Sequence, residues 1–516
     1  MATVAKRQQK SNAPLTTAQK LGSLLKSARD IMRKDKGLNG DLDRLPLLTW
    51  LMFLKFLDDH ETDAETKAKL ARKKYTPTLD APYRWRDWGA NDALTGDELL
   101  KFISADETIR PDATKGPGLI PYLRSLTGSA DTKRQVVGEV FTGVVNRMES
   151  GYLLRQIAEK VNGIHFVSTD EIHTLGHLYE SMLKEMRDAA GDSGEFYTPR
   201  AVVKFMVHAA NPQLGEVVLD PACGTGGFLV EAFAHLREQA RKGKAEDIVT
   251  LQERSIIGQE AKPLPYMLCQ MNLLLHGLDS PRIAKGNSLE KKLTDIGDAD
   301  RVDVILTNPP FGGEEEDGIK DNFPADRQTK ETALLFLQVI MRRLRMAPKP
   351  GRAAVVVPNG TLFGDGVCGR IKTDLLKNFS LHTIVRLPNG VFAPYTSIPT
   401  NILFFDRTGP TTDVWYYELA LPEGRKNYTK TAPLQFEEFA ECLKWWNSRE
   451  ENERAWKVPA EELLSAGCNL DRKNPRAKPD MDHLPPEELV ASIIKKEARI
   501  TELMGEIRDL LAGGKE

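Results

Sequence analysis

Cysteine is scarce in this sequence of 516 residues. The five cysteines are odd in number, and no two of them are separated by the two residues of a Cys-x-x-Cys pair: Cys223, Cys269, Cys368, Cys442 and Cys468. This usage argues against a disulfide framework and against a zinc site, and we expect no bound metal. Free thiols are typical of a reducing compartment, so we expect a cytoplasmic protein.

Long hydrophobic runs are also missing. The first 20 residues contain four basic side chains and no apolar stretch, which is not the pattern of a secretory signal. The most apolar early segment, residues 45–57, is too short to cross a bilayer and contains Lys55. The sequence therefore predicts a buried helix there and no membrane segment.

A surplus of positive charge is the third absence. The chain has 71 Lys and Arg against 73 Asp and Glu, a net charge of -2. Such a balance does not mark the whole surface as a site for a polyanion, so a nucleic-acid surface would have to be local or shared between subunits. The contents of 41% hydrophobic and 28% charged residues are those of a globular protein, and the length predicts two or three domains.

Residues 1–160 have apolar positions at helical spacing, which predicts an N-terminal α-helical domain. A local basic cluster lies near its start and fits either phosphate contacts or a solvated helix face: Lys26, Arg29, Arg33, Lys34 and Lys36. The aromatic stretch from Tyr83 to Trp88 fits either a surface loop or a partner contact.

Residues 161–410, with an extension to about 470, alternate short apolar runs with helical patterns. This alternation predicts an α/β domain with a mostly parallel sheet covered by helices on both faces. The predicted strands cover residues 216–220, 255–260, 302–307, 353–357, 381–386 and 401–406. After Asp406 the strand pattern fades.

Residues 471–516 begin with a polar, proline-containing linker and continue as a charged amphipathic helix from about residue 486 to 511. The apolar stripe of this helix consists of Leu489, Ile493, Ile494, Ile500, Leu503, Ile507 and Leu510. We expect a docking element for a partner subunit, and packing within the chain is an equal alternative.

A glycine-rich turn follows the first predicted strand of the α/β domain. Glycines allow the backbone to approach a ligand closely, and open α/β sheets bind ligands at the carboxyl ends of their strands. The spacing matches neither the dinucleotide fingerprint nor the phosphate-binding loop, so phosphate is not the implied ligand. The candidate ligand-binding residues of this turn are Asp220, Ala222, Gly224, Thr225, Gly226 and Gly227.

Glu260 ends the next predicted strand. An acidic residue at this place commonly holds the hydroxyl groups of a ribose. We therefore expect Glu260 beside a nucleoside-containing cofactor, although a strand-end glutamate is more often simply solvated.

The segment Asn308-Pro309-Pro310-Phe311 ends a buried strand in a rigid turn. Two prolines remove two amide donors and fix the backbone. The Asn308 side-chain oxygen and neighbouring carbonyl oxygens can then accept both hydrogens of an amino group and direct its lone pair to an electrophilic methyl group. Phe311 offers a flat face for a base taken out of a helix. By itself the segment also fits a strand-terminating turn.

Together the two motifs resemble those of DNA amino-methyltransferases. Three further segments resemble those of the methyltransferase (M) subunits of type I restriction-modification systems: residues 194–200, 356–360 and 390–405. The resemblance covers nearly the whole chain. It implies a Rossmann-like domain that uses S-adenosyl-L-methionine to methylate N6 of adenine in DNA.

The resemblance also implies residue roles. Phe196, Tyr197 and Thr198 would lie against the methionine part of the cofactor and Asp220 would face the same end. Glu260 would hold the ribose and Asn287 the adenine ring, although other methyltransferases have Asp at the last position. Asn308, Pro309, Pro310 and Phe311 would form the catalytic motif.

The implied partners are double-stranded DNA, a specificity (S) subunit, a second M subunit and, in the full complex, a restriction (R) subunit. About 110 residues follow the last predicted strand, which is few for reading a bipartite DNA site. The chain has no Gly-Lys-Ser/Thr phosphate loop. Target recognition, cleavage and translocation are therefore expected on other subunits.

Other functions fit parts of the pattern. Methylation of cytosine C5 is disfavoured because it needs a cysteine nucleophile, commonly after a proline, and no cysteine here follows one. A methyltransferase of RNA or of a protein glutamine amide remains an alternative, since both present planar amino groups. A non-catalytic scaffold of the same fold is another.

Overall fold

The computed structural model describes residues 17–164, 198–393, 396, 398–429, 431–476 and 486–513. Phe196 and Tyr197, which the sequence places beside the cofactor, lie outside these residues.

The N-terminal part is helical, as the periodicity predicts. Its longest helix contains the apolar run at residues 45–57, and Leu45, Trp50 and Leu54 are nearly inaccessible to solvent. The buried helix predicted there is confirmed, and a short hairpin of β1 (Thr108–Ile109) and β2 (Lys115–Gly116) accompanies it. The helices are α1 (Thr17–Met32), α2 (Asp41–Leu70), α3 (Trp85–Trp88), α4 (Gly96–Ser104), α5 (Leu119–Ser125), α6 (Thr132–Phe141) and α7 (Gly151–Asn162).

The aromatic side chains at residues 83–88 are not on the surface, so the surface-loop interpretation was wrong. Tyr83, Trp85 and Trp88 are buried in the helical core. Arg155, also buried, donates hydrogen bonds to the carbonyls of Trp88 and Asn91. The polar residues between the aromatics made the segment look exposed, whereas tertiary packing buries the aromatic side of its short helix.

A nine-stranded sheet forms the centre of the remaining chain, in the order β11-β10-β8-β9-β7-β6-β3-β4-β5. Five neighbouring pairs are parallel and three are antiparallel, so the mostly parallel sheet is confirmed. The strands are β3 (Val218–Asp220), β4 (Ile256–Glu260), β5 (Arg282–Lys285), β6 (Val304–Thr307), β7 (Arg352–Pro358), β8 (Ser380–Arg386), β9 (Thr400–Asp406), β10 (Asp413–Glu418) and β11 (Ala455–Pro459).

All six predicted strands are present, and three further strands of this sheet were missed. β5 contains two charged residues in four, which hides its pattern. β10 and β11 lie after Asp406, where no strand was expected. β10 contains the sequence Val414-Trp-Tyr-Tyr417, whose aromatic residues are good strand formers, and β11 pairs with it antiparallel at the sheet edge.

Helices cover both faces of the sheet. Alternate residues of the central strands point to opposite sides: Val304 and Leu306 join one apolar core, and Ile305 joins the other. The first core continues without a break into the N-terminal helices. The covering and edge helices are α8 (Arg200–Ala210), α9 (Gly227–Ala240), α10 (Ala245–Glu253), α11 (Pro263–Leu275), α12 (Asp317–Lys320), α13 (Thr332–Arg343), α14 (Val367–Asn378), α15 (Ala440–Asn447) and α16 (Ala460–Ser465).

Helix α11 connects the N-terminal helices to the sheet. The hydroxyl of its Tyr266 donates a 3.0 Å hydrogen bond to Glu139 on α6, and Gln270 donates to the same hydroxyl. Tyr266 is fully buried. At the start of α11, Pro263 packs directly over Gly143. Side chains in the first turn of α11 thus touch the helical region.

The predicted C-terminal helix is confirmed as α17 (Pro486–Gly513). Its apolar side chains that the structure describes are half exposed or nearly so: Val490, Ile493, Ile494, Ile500, Leu503, Met504 and Ile507. Within the described ranges, no helix is both long and apolar enough to cross a membrane.

Candidate functional site

The glycine-rich turn connects β3 to α9. Gly224 and Gly226 have positive φ angles of 53° and 80°, which glycine adopts without strain. A Cβ atom on Gly226 would lie 2.8 Å from Sγ of Cys269 on α11, well inside contact distance. Both the backbone conformation and the packing therefore require glycine at position 226.

Three hydrogen bonds fix this turn. The Cys223 amide donates to the Gln259 carbonyl at 3.0 Å, and the Gly224 amide donates to Oε2 of Glu260 at 2.9 Å. Nδ2 of Asn272 on α11 donates to the Thr225 carbonyl at 2.8 Å. The turn is thus held in one shape between β4 and α11.

Asp220 lies beneath the turn, only 1% exposed. Its Oδ1 accepts the Ala222 amide at 3.1 Å. Burial raises the pKa of this carboxyl to about 7, and the nearby Glu260 carboxylate adds to the increase. Asp220 can therefore take up or release a proton near neutral pH.

Glu260 is mostly buried at the carboxyl end of β4. Its two oxygens accept the amides of Gly224 and Lys262, at 2.9 and 2.8 Å. Burial raises the pKa of this carboxyl, while the amide hydrogen bonds oppose the increase. Each oxygen keeps a further lone pair, which can accept a hydrogen bond from a ligand hydroxyl.

Asn287 follows β5 at the same edge of the sheet. Its Oδ1 accepts the Leu289 amide at 3.0 Å, and its Nδ2 donates to Glu315 at 3.3 Å. The neighbouring Ser288 donates to the Pro221 carbonyl at 2.6 Å, which ties this segment to the glycine-rich turn.

Asn308 follows β6, the strand that pairs with β3. The chain turns away in opposite directions from these two strands, and such a point is where open α/β sheets place their ligands. Nδ2 of Asn308 donates a 3.1 Å hydrogen bond to Oγ1 of Thr198. Oδ1 of Asn308 is shielded from solvent and has no hydrogen-bond partner among the residues that the structure describes. A buried acceptor without a partner is uncommon and is stabilised by a ligand that supplies a donor.

The segment Thr198-Pro199-Arg200 lies between the two motifs. Helix α8 starts at Arg200, whose Nη1 donates to the Gly227 carbonyl at the start of α9, at 3.0 Å. Among the described residues no side chain caps this helix, and the Thr198 hydroxyl accepts the hydrogen bond from Asn308.

Phe311 is half-buried beside the apolar core. Its ring meets Phe392 edge-on, with centroids 5.3 Å apart and an angle of 72° between the planes. One ring is therefore fixed by the other, and Phe392 comes from the segment 390–405 singled out by its resemblance.

A pocket of about 320 Å³ lies at the carboxyl ends of β3 to β6. This volume is near the lower limit of small-molecule sites, about 300–1,000 Å³. Five predicted residues line it together: Ala222, Glu260, Asn287, Asn308 and Pro310. Its other described lining includes Gln259, Lys262, Ser288, Glu314, Glu315, Thr332 and Phe336.

The remaining predicted residues surround this pocket without lining it in the described part of the chain. Asp220, Gly224, Thr225, Gly226 and Gly227 belong to the same β3–α9 connection as Ala222, which does line the pocket. Pro309 is buried, Thr198 contacts the lining residue Asn308, and Phe311 contacts Phe392 outside the lining.

Sequence reasoning missed the residues that follow Phe311. Glu314 and Glu315 reach the pocket because their loop pairs with the segment before α13, where the Glu315 amide donates to the Lys330 carbonyl. Thr332 fixes the loop by donating to the Gly313 carbonyl at 3.2 Å. The one sequence feature that could have indicated Glu315 is its position a few residues after the Asn308–Phe311 motif.

The donor and acceptor set fits an adenosine-containing methyl donor. Glu260 offers a carboxylate for hydroxyl groups, Asn287 offers an amide for a ring edge, and Phe336 gives an apolar wall. Asn308 supplies an acceptor at the adjacent strand end. No part of this set demands phosphate or a covalent nucleophile.

Two family descriptions match the chain. The N-6 DNA Methylase family matches residues 170–483, and the HsdM N-terminal domain matches residues 21–110. The EcoEI type I restriction enzyme methylase subunit of Escherichia coli is 48% identical over 502 residues, which cover 95% of this chain and 97% of that protein.

Solved structures agree with these matches. A modification subunit assigned to a type I restriction enzyme of Vibrio vulnificus YJ016 is 62% identical, with a TM-score of 0.83, and covers 92% of this chain and 100% of its own. A chain from a study of complex assembly and conformational transition in the type I restriction-modification system is 40% identical. Its TM-score is 0.77, with 97% of this chain and 100% of that chain covered.

Proposed function

This chain belongs to the N-6 DNA methylase family, and we propose that Asn308 holds the exocyclic amino group of an adenine in DNA for methylation. It is the methyltransferase subunit of a type I restriction-modification system, an adenine-specific DNA methyltransferase. The fold is that of S-adenosylmethionine-dependent methyltransferases. The residue roles below are part of the proposal.

The buried, unpartnered Oδ1 of Asn308 is the observation that carries the catalytic proposal. An adenine amino nitrogen is a weak nucleophile because its lone pair is delocalised into the ring. An acceptor fixed beside it withdraws a hydrogen from the ring plane and favours the pyramidal geometry of the transition state. Pro309 and Pro310 add no competing amide donors and keep the turn rigid. Proton loss from the product nitrogen completes the transfer without a covalent enzyme intermediate.

The pocket beside Asn308 would hold S-adenosyl-L-methionine, which supplies an electrophilic methyl group when bound. Glu260 would accept the ribose hydroxyls, and Asn287 would contact the adenine ring. Asp220, Ala222, Gly224, Thr225, Gly226 and Gly227 would form the wall at the methionine end. By resemblance, Phe196, Tyr197 and Thr198 would also lie against the methionine part. Phe311, braced by Phe392, would stack on the target base.

The division of the chain is also a proposal. Residues 1–160 would help to clasp DNA, residues 161–410 with the extension to about 470 would catalyse methyl transfer, and residues 471–516 would dock a partner. Four of the basic residues predicted near phosphates are exposed: Lys26, Arg33, Lys34 and Lys36. The Arg33 side chain also forms a 2.9 Å ion pair with Asp30.

Type I proteins work as assemblies, and the exposed apolar stripe of α17 supports a docking role. Seven apolar side chains along one helix, each at least 40% exposed, are costly in water and are typical of an interface. We assign this surface to helices of the specificity subunit. A second copy of this subunit and, in the full complex, a restriction subunit would complete the assembly.

Methyl transfer tests the proposal directly. The chain reconstituted with its specificity subunit is incubated with radiolabelled S-adenosyl-L-methionine and duplex DNA that contains the target sequence. Wild type should label adenine N6, and Asn308→Ala should lower the rate by at least about 100-fold, the usual scale for removing one transition-state hydrogen bond. Asn378→Ala, at an exposed helix end, is the matched control. Label found only in RNA or protein would support the alternative substrates.

Cofactor binding separates an enzyme from a scaffold. Calorimetry with S-adenosyl-L-methionine should detect one site in wild type, lost in Glu260→Ala. No heat of binding to the chain, alone or with its specificity subunit, would favour the non-catalytic scaffold.

A further inference from the structure

The two ends of the Asn308 side-chain amide have different surroundings. Its nitrogen donates to Oγ1 of Thr198 at 3.1 Å, while its oxygen is buried and has no partner in the described part of the chain. An amide group has nearly the same shape after half a turn about its last side-chain bond. Something must therefore select which end is presented to a substrate.

Thr198 is well placed to make this selection. It lies immediately before Pro199, whose ring restricts the backbone, and before α8, whose Arg200 is tied to the start of α9 by a 3.0 Å hydrogen bond. The hydroxyl makes no cap to α8. Its oxygen thus remains an acceptor for the Asn308 nitrogen, on a backbone that Pro199 and Arg200 hold from the side of α8.

We propose that Thr198 is a positioning residue for methyl transfer, because its hydroxyl fixes the Asn308 amide with Oδ1 left open as the acceptor. This inference rests on the proposed function. With the amide reversed, NH₂ would stand where the adenine amino group must donate. Two donors would then face each other, and the Asn308 hydrogens would compete for the lone pair that attacks the methyl group.

This role differs from the one implied by resemblance, in which Thr198 is a neighbour of the methionine part of the cofactor. A cofactor contact would change the affinity for S-adenosyl-L-methionine. A positioning residue changes the rate of the chemical step at saturating cofactor and leaves the affinity nearly unchanged.

Two substitutions separate these roles. Thr198→Val keeps the shape and removes the hydroxyl, whereas Thr198→Ser keeps the hydroxyl. In the complex with the specificity subunit, single-turnover methyl transfer to target DNA should fall about 10- to 100-fold in Thr198→Val. The Kd for S-adenosyl-L-methionine should change by less than about threefold, and Thr198→Ser should recover a rate within about threefold of wild type.

Thr142→Val is the matched control, since that hydroxyl bonds only to the Gly138 carbonyl of its own helix region. Thermal unfolding of all variants checks their folding. An unchanged rate in Thr198→Val would overturn the inference, as would a Kd that weakens in parallel with the rate or a serine variant as slow as the valine variant. A wild-type complex that methylates no DNA would instead overturn the proposed function itself.

Discussion

At the scale of single residues, the site depends on polar side chains that are buried away from water. Asp220 is a buried carboxyl with a pKa near 7, and Asn308 keeps a buried acceptor without a partner. Burying such groups costs stability, so the protein retains them at a cost to its own folding. For Asp220 this gives two predictions that can be measured without knowing the DNA target.

Asp220 should make cofactor binding depend on pH. Below about pH 7 the carboxyl is protonated in the free protein, and a cationic ligand favours its ionised form. Binding of S-adenosyl-L-methionine should therefore release protons and strengthen by up to about tenfold per unit as pH rises from 6 toward 7. Calorimetry in buffers of different ionisation enthalpy measures both effects. A slope unchanged in Asp220→Asn would contradict the assignment.

The raised pKa of Asp220 also gives a prediction for the free energy of unfolding. Because the folded pKa lies above the unfolded value of 3.8, Asp220 favours the folded state most below about pH 4, and this contribution is lost as pH rises through about 7. Asp220→Asn should therefore raise the free energy of unfolding of the unliganded protein at pH 8, on the order of 2 kcal/mol. Denaturant unfolding at pH 8 and pH 4 tests this, since the gain should shrink at the lower pH.

Gly226→Ala should weaken cofactor binding more than tenfold. The new Cβ would lie 2.8 Å from Sγ of Cys269, and φ is 80°. Adding Cys269→Ala should restore part of the affinity, because it removes the clash and leaves the backbone strain. Gly22→Ala, on an open helix face, should instead stabilise the protein by about 0.5–1 kcal/mol. Titration calorimetry and thermal unfolding give the two readouts.

At the scale of elements, α11 connects two parts of the chain that the sequence presented separately. Asn272 holds the glycine-rich turn through the Thr225 carbonyl, and Tyr266, two turns earlier on the same helix, bonds to Glu139 of α6. Both side chains are fully buried. One helix thus supports the cofactor wall and the N-terminal helices.

Substitutions at the two ends of α11 should have different effects. Asn272→Ala should weaken binding of S-adenosyl-L-methionine, because it frees the Thr225 carbonyl and loosens the turn. Tyr266→Phe should lower the free energy of unfolding by about 1–3 kcal/mol, the cost of leaving buried partners unsatisfied, with cofactor affinity nearly unchanged. Calorimetry and denaturant unfolding on both variants distinguish them. Equal losses of affinity would show that the helix responds as a single unit.

The elements that the sequence predicted are those with clear periodicity or rigid turns. β6 is buried throughout and is followed by a diproline segment, so its end and the position of Asn308 were predictable. β5 and β11 were missed because their stability comes from pairing with neighbours and not from their own pattern. Thr198 was found by resemblance alone, since nothing in the chain indicates a contact 110 residues away.

At the scale of the whole molecule, function requires surfaces that the subunit leaves open. The net charge is -2, yet the proposed substrate is a polyanion. The exposed basic residues of α1 and of the segment after it give a local positive surface for DNA phosphates. Helix α17 presents apolar side chains to solvent, where a partner subunit can bind.

The basic cluster should contribute to DNA affinity through salt-dependent binding to phosphates. For the assembled complex, replacing Lys26, Lys34 and Lys36 together by Ala should weaken DNA binding similarly for target and non-target sequences. The slope of log K against log salt should fall by about 0.9 for each phosphate that the variant no longer neutralises. Fluorescence anisotropy at several salt concentrations measures this. An unchanged slope would assign these lysines to a solvated helix face.

The stripe on α17 should control assembly and nothing else. Ile494→Asp together with Ile500→Asp, at two residues that are each 60% exposed, should prevent co-purification with the specificity subunit. Cofactor affinity and the unfolding temperature of the isolated chain should stay at wild-type values. Lys495→Asp, on the same helix, is the charge control. A large loss of stability in the double variant would mean that α17 packs on its own chain.

The contacts of helix α11 determine where two related subunits can be joined to make a chimaera. A junction placed near residue 161, where the helical pattern gives way to the strand pattern, would pair α6 of one parent with α11 of another. The Tyr266 hydrogen bond to Glu139 and the contact of Pro263 with Gly143 would then form only if the two parents have matching residues at these positions. Hybrids that exchange α6 and α11 together should yield far more soluble, cofactor-binding protein than hybrids divided at residue 161.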